Sequence, residues 1–305
     1  MRPVDVSRWT TAEGPLDLDA AAARIAADWP ELAPVRARPM GEGWDSRIVE
    51  VNRAIVFRFP KRAEIGERLA RERALLAGLH GTLPLAVPDV RYWGEPRGDF
   101  PFGFAGHPKL PGDAAVATTL SEAAEGAIAA ELARFLAALH AVPPARARSL
   151  GAIERDVLAA DPPALLELVR RLHPAIRPAV DAAVAARCER FLAAAPPAPR
   201  GTPACLVHGE LTANNVLIAG QAVSGVIDWT DACLGDPAGD LAGLFHWGGE
   251  RMLAAALAVY PGADAPLAAR ARFIGGCGGF IQLAVALDRG DAGQRGAALR
   301  ALARL

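Results

Sequence analysis

Residues Ala204 to Leu244 read ACLVHGELTANNVLIAGQAVSGVIDWTDACLGDPAGDLAGL, and the rest of the chain is arranged around them. Two apolar runs, Asn215 to Ile218 and Ala222 to Ile227, flank Ala219-Gly220-Gln221. Apolar runs joined by a short glycine-containing turn predict a β-hairpin. Pairing about that turn sets Asn215, at the start of one strand, near Asp228, at the end of the other. The run Ala204 to Val207 leads into His208-Gly209-Glu210, so Glu210 falls on a loop just ahead of the hairpin and can point at the same rim.

A carboxylate, an amide and a second carboxylate then converge. Oxygen ligands of this kind suit Mg2+, which takes one or two protein ligands and leaves its other positions to water and phosphate. The remaining carboxylate can orient or deprotonate a hydroxyl, which is what phosphoryl transfer asks of a protein beyond positioning and charge neutralisation. His-x-acid, an Asn five residues after the acid and an Asp thirteen beyond that match the catalytic loop and metal-binding Asp of protein-kinase-like enzymes.

HGELTANNVLI followed by GVIDWTDACLGDPAGDLAGL resembles the aminoglycoside phosphotransferase family of antibiotic and small-molecule kinases, whose usual pattern is HGDxxxxN, then IDF or IDW, then GDPxxDLA. The resemblance implies that Glu210 is the catalytic acid and that Asn215 and Asp228 hold the metal. It further implies that His208 is a structural loop residue and that Asp236 and Asp240 brace the loop and the following helix. One position departs from the pattern: the family has Asp where this chain has Glu210. The extra methylene carries the carboxylate outward by roughly 1 to 1.5 Å, and misplacement of about 1 Å can cost about a hundredfold in rate. A nucleotide-binding pseudokinase with weak or lost transfer is therefore the alternative to an active enzyme.

The resemblance extends to the first third of the chain. Strands are expected at Arg36 to Pro39, Ile48 to Val51 and Ala54 to Phe59, with a tight turn near Asn52-Arg53. Gly41, Gly43 and Ser46 lie in the loop between the first two, the arrangement that lets backbone N–H groups approach phosphate. By alternation Arg58 faces away from Phe57 and Phe59. The resemblance makes Arg58, or failing it Lys61, the cation that holds the nucleotide phosphates. Glu72 interrupts the apolar stripe of a helix expected over Ile65 to Leu79 and needs a cationic partner; the resemblance pairs it with Arg58. Val87 to Val90 and Phe100 to Leu110 read as strand-like. In the resembled family the stretch holding His107 and Lys109 is the hinge whose backbone meets the nucleotide base.

The implied fold is α+β and two-lobed, protein-kinase-like, with a small β-rich N-terminal lobe and hinge over residues 1–112 and a larger helical lobe over 113–305. In the second lobe Thr119-x-x-Glu122 suggests a capping box. His140 at a helix end suits the terminal carbonyls. Further helices are expected at Pro162 to Leu172, Val180 to Leu192, Glu250 to Val259, Leu267 to Leu287 and Gly293 to Leu305. Asp236-Pro237 fits a helix start. The run Gly275-Gly276-Cys277-Gly278-Gly279 implies either very close helix packing or a bend lining a pocket.

Composition sets the outer bounds. The 305 residues are 52% hydrophobic and 22% charged, which describes a globular chain, not a disordered one. A net charge of −1 gives no electrostatic reason to expect nucleic acid or an anionic membrane as partner. No apolar run is long enough to span a bilayer, and MRPVDVSRWTTAEG lacks the apolar core of a signal peptide. The four widely spaced cysteines suit reduced thiols in a cytoplasmic protein. The expected activity is transfer of the γ-phosphate of ATP or GTP, with Mg2+, to a hydroxyl of a small-molecule acceptor. Asp231, Trp247 and Glu250, with Tyr260, Asp264, Phe280 and Asp288, are the candidates to meet that acceptor. The oligomeric state has no sequence signature.

Overall fold

A computed structural model of the chain describes residues 16–42, 45–98, 100–154, 161–199, 201 and 204–305. Gly43 of the expected phosphate loop lies outside the described residues, as does the N-terminal stretch read for a signal peptide. The chain divides into two compact units, one holding residues 16–82 and 86–110, the other residues 83–85 and 111–305.

The first unit opens with α1, Leu18–Asp28, whose N-cap Asp17 accepts from the backbone N–H of Asp19 (2.9 Å) and Ala20 (3.1 Å). Five antiparallel strands follow in the spatial order β1-β2-β3-β5-β4: β1 Ala37–Glu42, β2 Ser46–Val51, β3 Ile55–Pro60, β4 Tyr92–Gly94 and β5 Phe104–Pro108. In the β2–β3 turn, closed by the Ala54 N–H to Val51 carbonyl bond (3.0 Å), the two central residues Asn52 and Arg53 are both left-handed (φ 54° and 59°), as a type I′ turn requires. One sheet face carries Val49, Val51, Phe57, Phe59 and Phe104 and packs on Ala21 and Ile25 of α1. The other face carries Arg58, and α2, Ala63–Leu79, supplies Glu72 to it. The expected strand at Val87 to Val90 is not formed: Pro88 lacks a ladder donor, and pairing begins at Tyr92.

The second unit is mainly helical. Its long helices are α3 Glu122–His140, α5 Pro162–Ile176, α6 Ala182–Ala193, α7 Ala238–Leu257, α8 Ala265–Arg289 and α9 Ala292–Leu302, with a short α4 at Pro144–Ser149. The cap of α3 is Ser121, not Thr119, because Ser121 Oγ accepts from Ala124 N–H (3.2 Å). Helix α5 runs through His173-Pro174, where a break was expected; Pro174 sits in the last turn, where the helix is about to end. Helix α7 begins directly after Asp236-Pro237, where a helix start was expected, and runs on into the helix expected from Glu250, broken inside by Gly249 (φ 67°, ψ −154°), a conformation open only to glycine. The glycine run of α8 is a packing device and not a bend: a Cβ on Gly275 would stand 2.6 Å from the Ala242 carbonyl oxygen of α7. The core of this unit joins Val169, Cys188, Cys277, Phe280 and Leu302 from four helices.

Two small sheets hold the loops of interest. Strand β8, Val216–Ala219, pairs with β9, Ala222–Val226, and with the two-residue β6, Asp113–Ala114. Strand β7, Cys205–Val207, pairs antiparallel with β10, Cys233–Gly235. Among the described residues no helix is long and apolar enough to cross a membrane.

Candidate active site

The expected hairpin forms about Gly220-Gln221, with Ala219 opposite Ala222. Its open end brings the predicted residues together through short contacts. Ile227 N–H donates to the Asn215 carbonyl (2.9 Å), so Asp228 directly follows the residue paired with Asn215. Asn215 Nδ2 donates to the Glu210 carbonyl (2.9 Å), which ties the loop to the hairpin and turns the amide oxygen the other way. Asn215 is buried while Glu210 is exposed. Asp228 is left-handed (φ 64°), a region that Asp tolerates better than most residues. Its Oδ1 accepts from Thr230 Oγ1 (2.9 Å).

What holds the loop is a buried chain of hydrogen bonds. Asp240, fully buried near the start of α7, accepts from the backbone N–H of His208 (2.8 Å) and Gly209 (2.9 Å). It also faces His140 Nε2 (3.1 Å), whose other ring nitrogen lies 2.7 Å from the Tyr260 hydroxyl. His140 thus leaves the helix-end carbonyls alone and links α3 to the loop, with Tyr260 as its other partner. Burial raises the Asp240 carboxyl, but the hydrogen bond and charge of His140 and the His208 contacts outweigh it and hold the pKa below the ordinary value. His208 is buried too; its Nε2 donates to the Ile227 carbonyl (3.0 Å) and its Nδ1 accepts from Glu210 N–H (3.3 Å). Burial lowers the His208 pKa against the pull of Asp240 and Asp228, so the ring stays neutral and serves as a spacer between loop and hairpin.

Backbone contact completes the seat. A Cβ on Gly243 of α7 would fall 1.5 Å from the Leu211 carbonyl oxygen, so the loop rests on bare helix main chain. A Cβ on Gly209 would lie 2.4 Å from the Asp231 carbonyl oxygen, which places Asp231 beside the loop. Asp236 braces the helix: Oδ1 accepts from Ala238 N–H (3.0 Å) and Oδ2 from Arg270 Nε (2.7 Å), both side chains being buried.

In the first unit the Arg58–Glu72 ion pair is present, with Arg58 Nη1 at 2.7 and 2.9 Å from the two carboxylate oxygens of Glu72. Ser46, at the end of the glycine loop, has a buried Oγ without a hydrogen-bond partner among the described residues. Gly41 is exposed at the end of β1, and none of the described residues stands within 4 Å of where its Cβ would be. His107 is buried, burial lowering its pKa, and its Nδ1 lies 2.8 Å from the Pro108 carbonyl. Lys109 N–H donates to the Ala54 carbonyl (2.7 Å) and its ammonium contacts Glu50 Oε1 (2.6 Å). Glu50, not anticipated from the sequence, is also bonded by Arg38, and the two cations hold its pKa down to about 2. Nothing in the local sequence announces Glu50 except alternation with Val49 and Val51.

The acceptor candidates scatter. Glu250 is exposed and gripped by both arms of Arg272 (2.6 and 2.5 Å), its charge already matched. Trp247 is half-buried just before the α7 break, and its carbonyl accepts from Arg304. Asp264 caps α8 by accepting from Leu267 N–H (2.7 Å), Phe280 is core, and Asp288 is exposed. Of the set, only Asp231 adjoins the loop that carries Glu210 through a contact described above.

An antiparallel sheet with an ion-paired strand cation, followed by a helical region with an acid–Asn–Asp rim, defines a kinase-like phosphotransferase. The match of residues 36–274 to the model of the phosphotransferase enzyme family (APH) shows that the chain belongs to that family. Over 109 residues the chain is 40% identical to viomycin phosphotransferase of Streptomyces vinaceus, a match spanning 34% of this chain and 38% of that protein. The match therefore reaches well under half the length of that curated relative. Among solved structures, the GDP and kanamycin complex of APH(2")-IIIa is 25% identical with a TM-score of 0.69, covering 94% of this chain and 97% of that one. A macrolide 2'-phosphotransferase type I is 28% identical with a TM-score of 0.62, covering 96% and 99%.

Proposed function

We propose that the chain transfers the γ-phosphate of ATP or GTP to a hydroxyl of a small, antibiotic-like acceptor. The single observation that carries this reading is the rim where Asn215 bonds the Glu210 carbonyl through its side chain and Ile227 N–H through its own carbonyl, with Asp228 the next residue after Ile227. The donor set fits magnesium: the amide oxygen of Asn215 and the carboxylate of Asp228 are hard oxygen ligands. Magnesium, when bound, would neutralise phosphate charge. Glu210 would orient the acceptor hydroxyl and take its proton. Arg58, steadied by Glu72, and the buried Ser46 hydroxyl, without a partner among the described residues, would hold phosphate oxygens, and the backbone around His107 and Lys109 would meet the base. Asp231, beside the Gly209 loop, would meet a cationic group of the acceptor; Trp247 and Glu250 would serve only an acceptor that extends along α7. The acceptors named for the relatives, viomycin, kanamycin and macrolides, are the compounds to test first.

The second reading is nucleotide binding without transfer, and Glu210 is the observation that favours it. Calorimetric titration with ATP and GTP, with and without magnesium, followed by a turnover screen over those three antibiotic classes, tests both. Magnesium-dependent binding with turnover of one class is expected. Asp228→Asn should cut that turnover by roughly a hundredfold or more while the left-handed backbone is kept. Unchanged magnesium dependence in that variant would remove Asp228 from the site. Glu210→Asp should keep or raise turnover; if binding persists and neither the parent nor Glu210→Asp turns over any compound, the second reading stands.

A further inference from the structure

The register of the first sheet orders its charged face into rows. Directly paired residues share a face, as do alternate residues of one strand. Ser46 opposes Pro60, Ile48 opposes Arg58, and Glu50 opposes both Arg38 and Val56, with His107 next to Val56 on β5. Ser46, Ile48 and Glu50 therefore descend one face of β2, with Arg58 and then Arg38 beside them, while Val49, Phe57 and Phe104 fill the opposite face against α1. The phosphate-binding groups, Ser46 and Arg58, occupy the first two rows. From Ser46 to Glu50 is about 13 Å along the strand, the scale on which a nucleotide extends from its terminal phosphate towards its base.

The third row is unusual for a sheet. Glu50 is almost fully buried, with its side chain 1% exposed, beneath two cations: Arg38, 64% exposed, and Lys109, 32% exposed. A buried carboxylate with two cationic partners is a weak route to stability, because its desolvation offsets the attraction. It is an effective way to fix a cation. Among the described residues Glu50 is the only partner of Arg38, and it anchors the guanidinium at Nε while the plane stays largely bare. A planar, weakly hydrated cation held beside a polyphosphate site is suited to lie against an aromatic base.

We propose that Arg38, anchored by Glu50, stacks on the purine base of the donor nucleotide, with Lys109 closing the same row; this rests on the kinase reading above. The test is calorimetric titration of the full chain with magnesium ATP, magnesium GTP and magnesium tripolyphosphate. Arg38→Ala is expected to weaken both nucleotides about tenfold while tripolyphosphate, which has no base, changes by less than about twofold. Arg38→Lys should resemble Arg38→Ala, since an ammonium offers no plane to stack, and Glu50→Gln should weaken the nucleotides less than either. The last two variants carry the comparison if Arg38→Ala fails to fold. Unchanged nucleotide affinity in Arg38→Ala would overturn the stacking role, as would an equal loss for tripolyphosphate, which would make Arg38 a phosphate ligand. Those outcomes leave the kinase reading intact. A folded parent protein that binds neither nucleotide would overturn both.

Discussion

In the N-terminal unit Ser46 and Glu50 on β2 and Arg58 on β3 hang from one sheet face as side chains, whereas in the C-terminal unit Glu210, Asn215 and Asp228 sit on loops whose main chain is gripped by other side chains. The first arrangement is local. A strand alternates by construction, so a charge at Arg58 is delivered to one face whatever lies elsewhere. The second is assembled from four distant segments: His140 on α3, the His208 loop, Asp240 on α7 and Tyr260 beyond its end. Side chains on a strand can be exchanged one at a time; a loop held through its backbone moves as a unit.

The comparison breaks most visibly at Asp240. Asp240→Ala leaves two buried backbone donors and His140 without their acceptor, so urea unfolding should show a loss of about 3 to 5 kcal/mol, and turnover should disappear with it. Loss of turnover with unchanged stability would mean that the loop does not depend on this carboxylate for its shape. A double-mutant cycle on Arg58→Met and Glu72→Leu tests the other unit. The coupling expected in urea unfolding is about 1 to 3 kcal/mol, the pair of changes costing less than the sum of the two alone. Additive losses would show that the two side chains are neighbours without being partners.

The smallest effect is a pH dependence. Glu50 has its folded pKa depressed from 4.5 to about 2, through its hydrogen bonds to Arg38 and Lys109. Depression means that the stabilisation is fully present above the unfolded pKa and is lost as the pH falls towards about 2. The parent protein should lose more Tm than Glu50→Gln between pH 5 and the acid limit of folding, and the two should run parallel above pH 6. Parallel curves throughout would show that Glu50 gains nothing from its cations.

Which features the sequence discloses follows from how local they are. The β8–β9 hairpin needs only its turn and its two apolar runs, so the nearness of Asn215 and Asp228 is readable from spacing. Alternation on β3 sets Arg58 apart from its aromatic neighbours and the stripe of α2 marks Glu72 as an interruption, but that the two form a pair is what the family resemblance implied. Glu50 is hidden by an irregularity: the β1–β2 register shifts between Pro39 and Gly41, and only that shift sets Arg38 opposite Glu50. His140 and Tyr260 are hidden by distance, their bond joining residues 120 apart in the chain. Proline misleads in both directions, since Pro174 continues a helix that it was expected to end, while Pro88 prevents a strand that Val87 and Val90 suggested.

The bare contact between Gly243 and the Leu211 carbonyl has a consequence for how this enzyme can vary. Most packing distances are graded, because a larger or smaller side chain moves a neighbour by a fraction of an ångström. Here the height of the loop is set by a missing atom, and even the smallest addition would overlap the Leu211 oxygen. Position 243 therefore acts as a stop and not as a dial: the loop that carries Glu210 has one resting height, and any change in the reach of its carboxylate has to come from residue 210 itself.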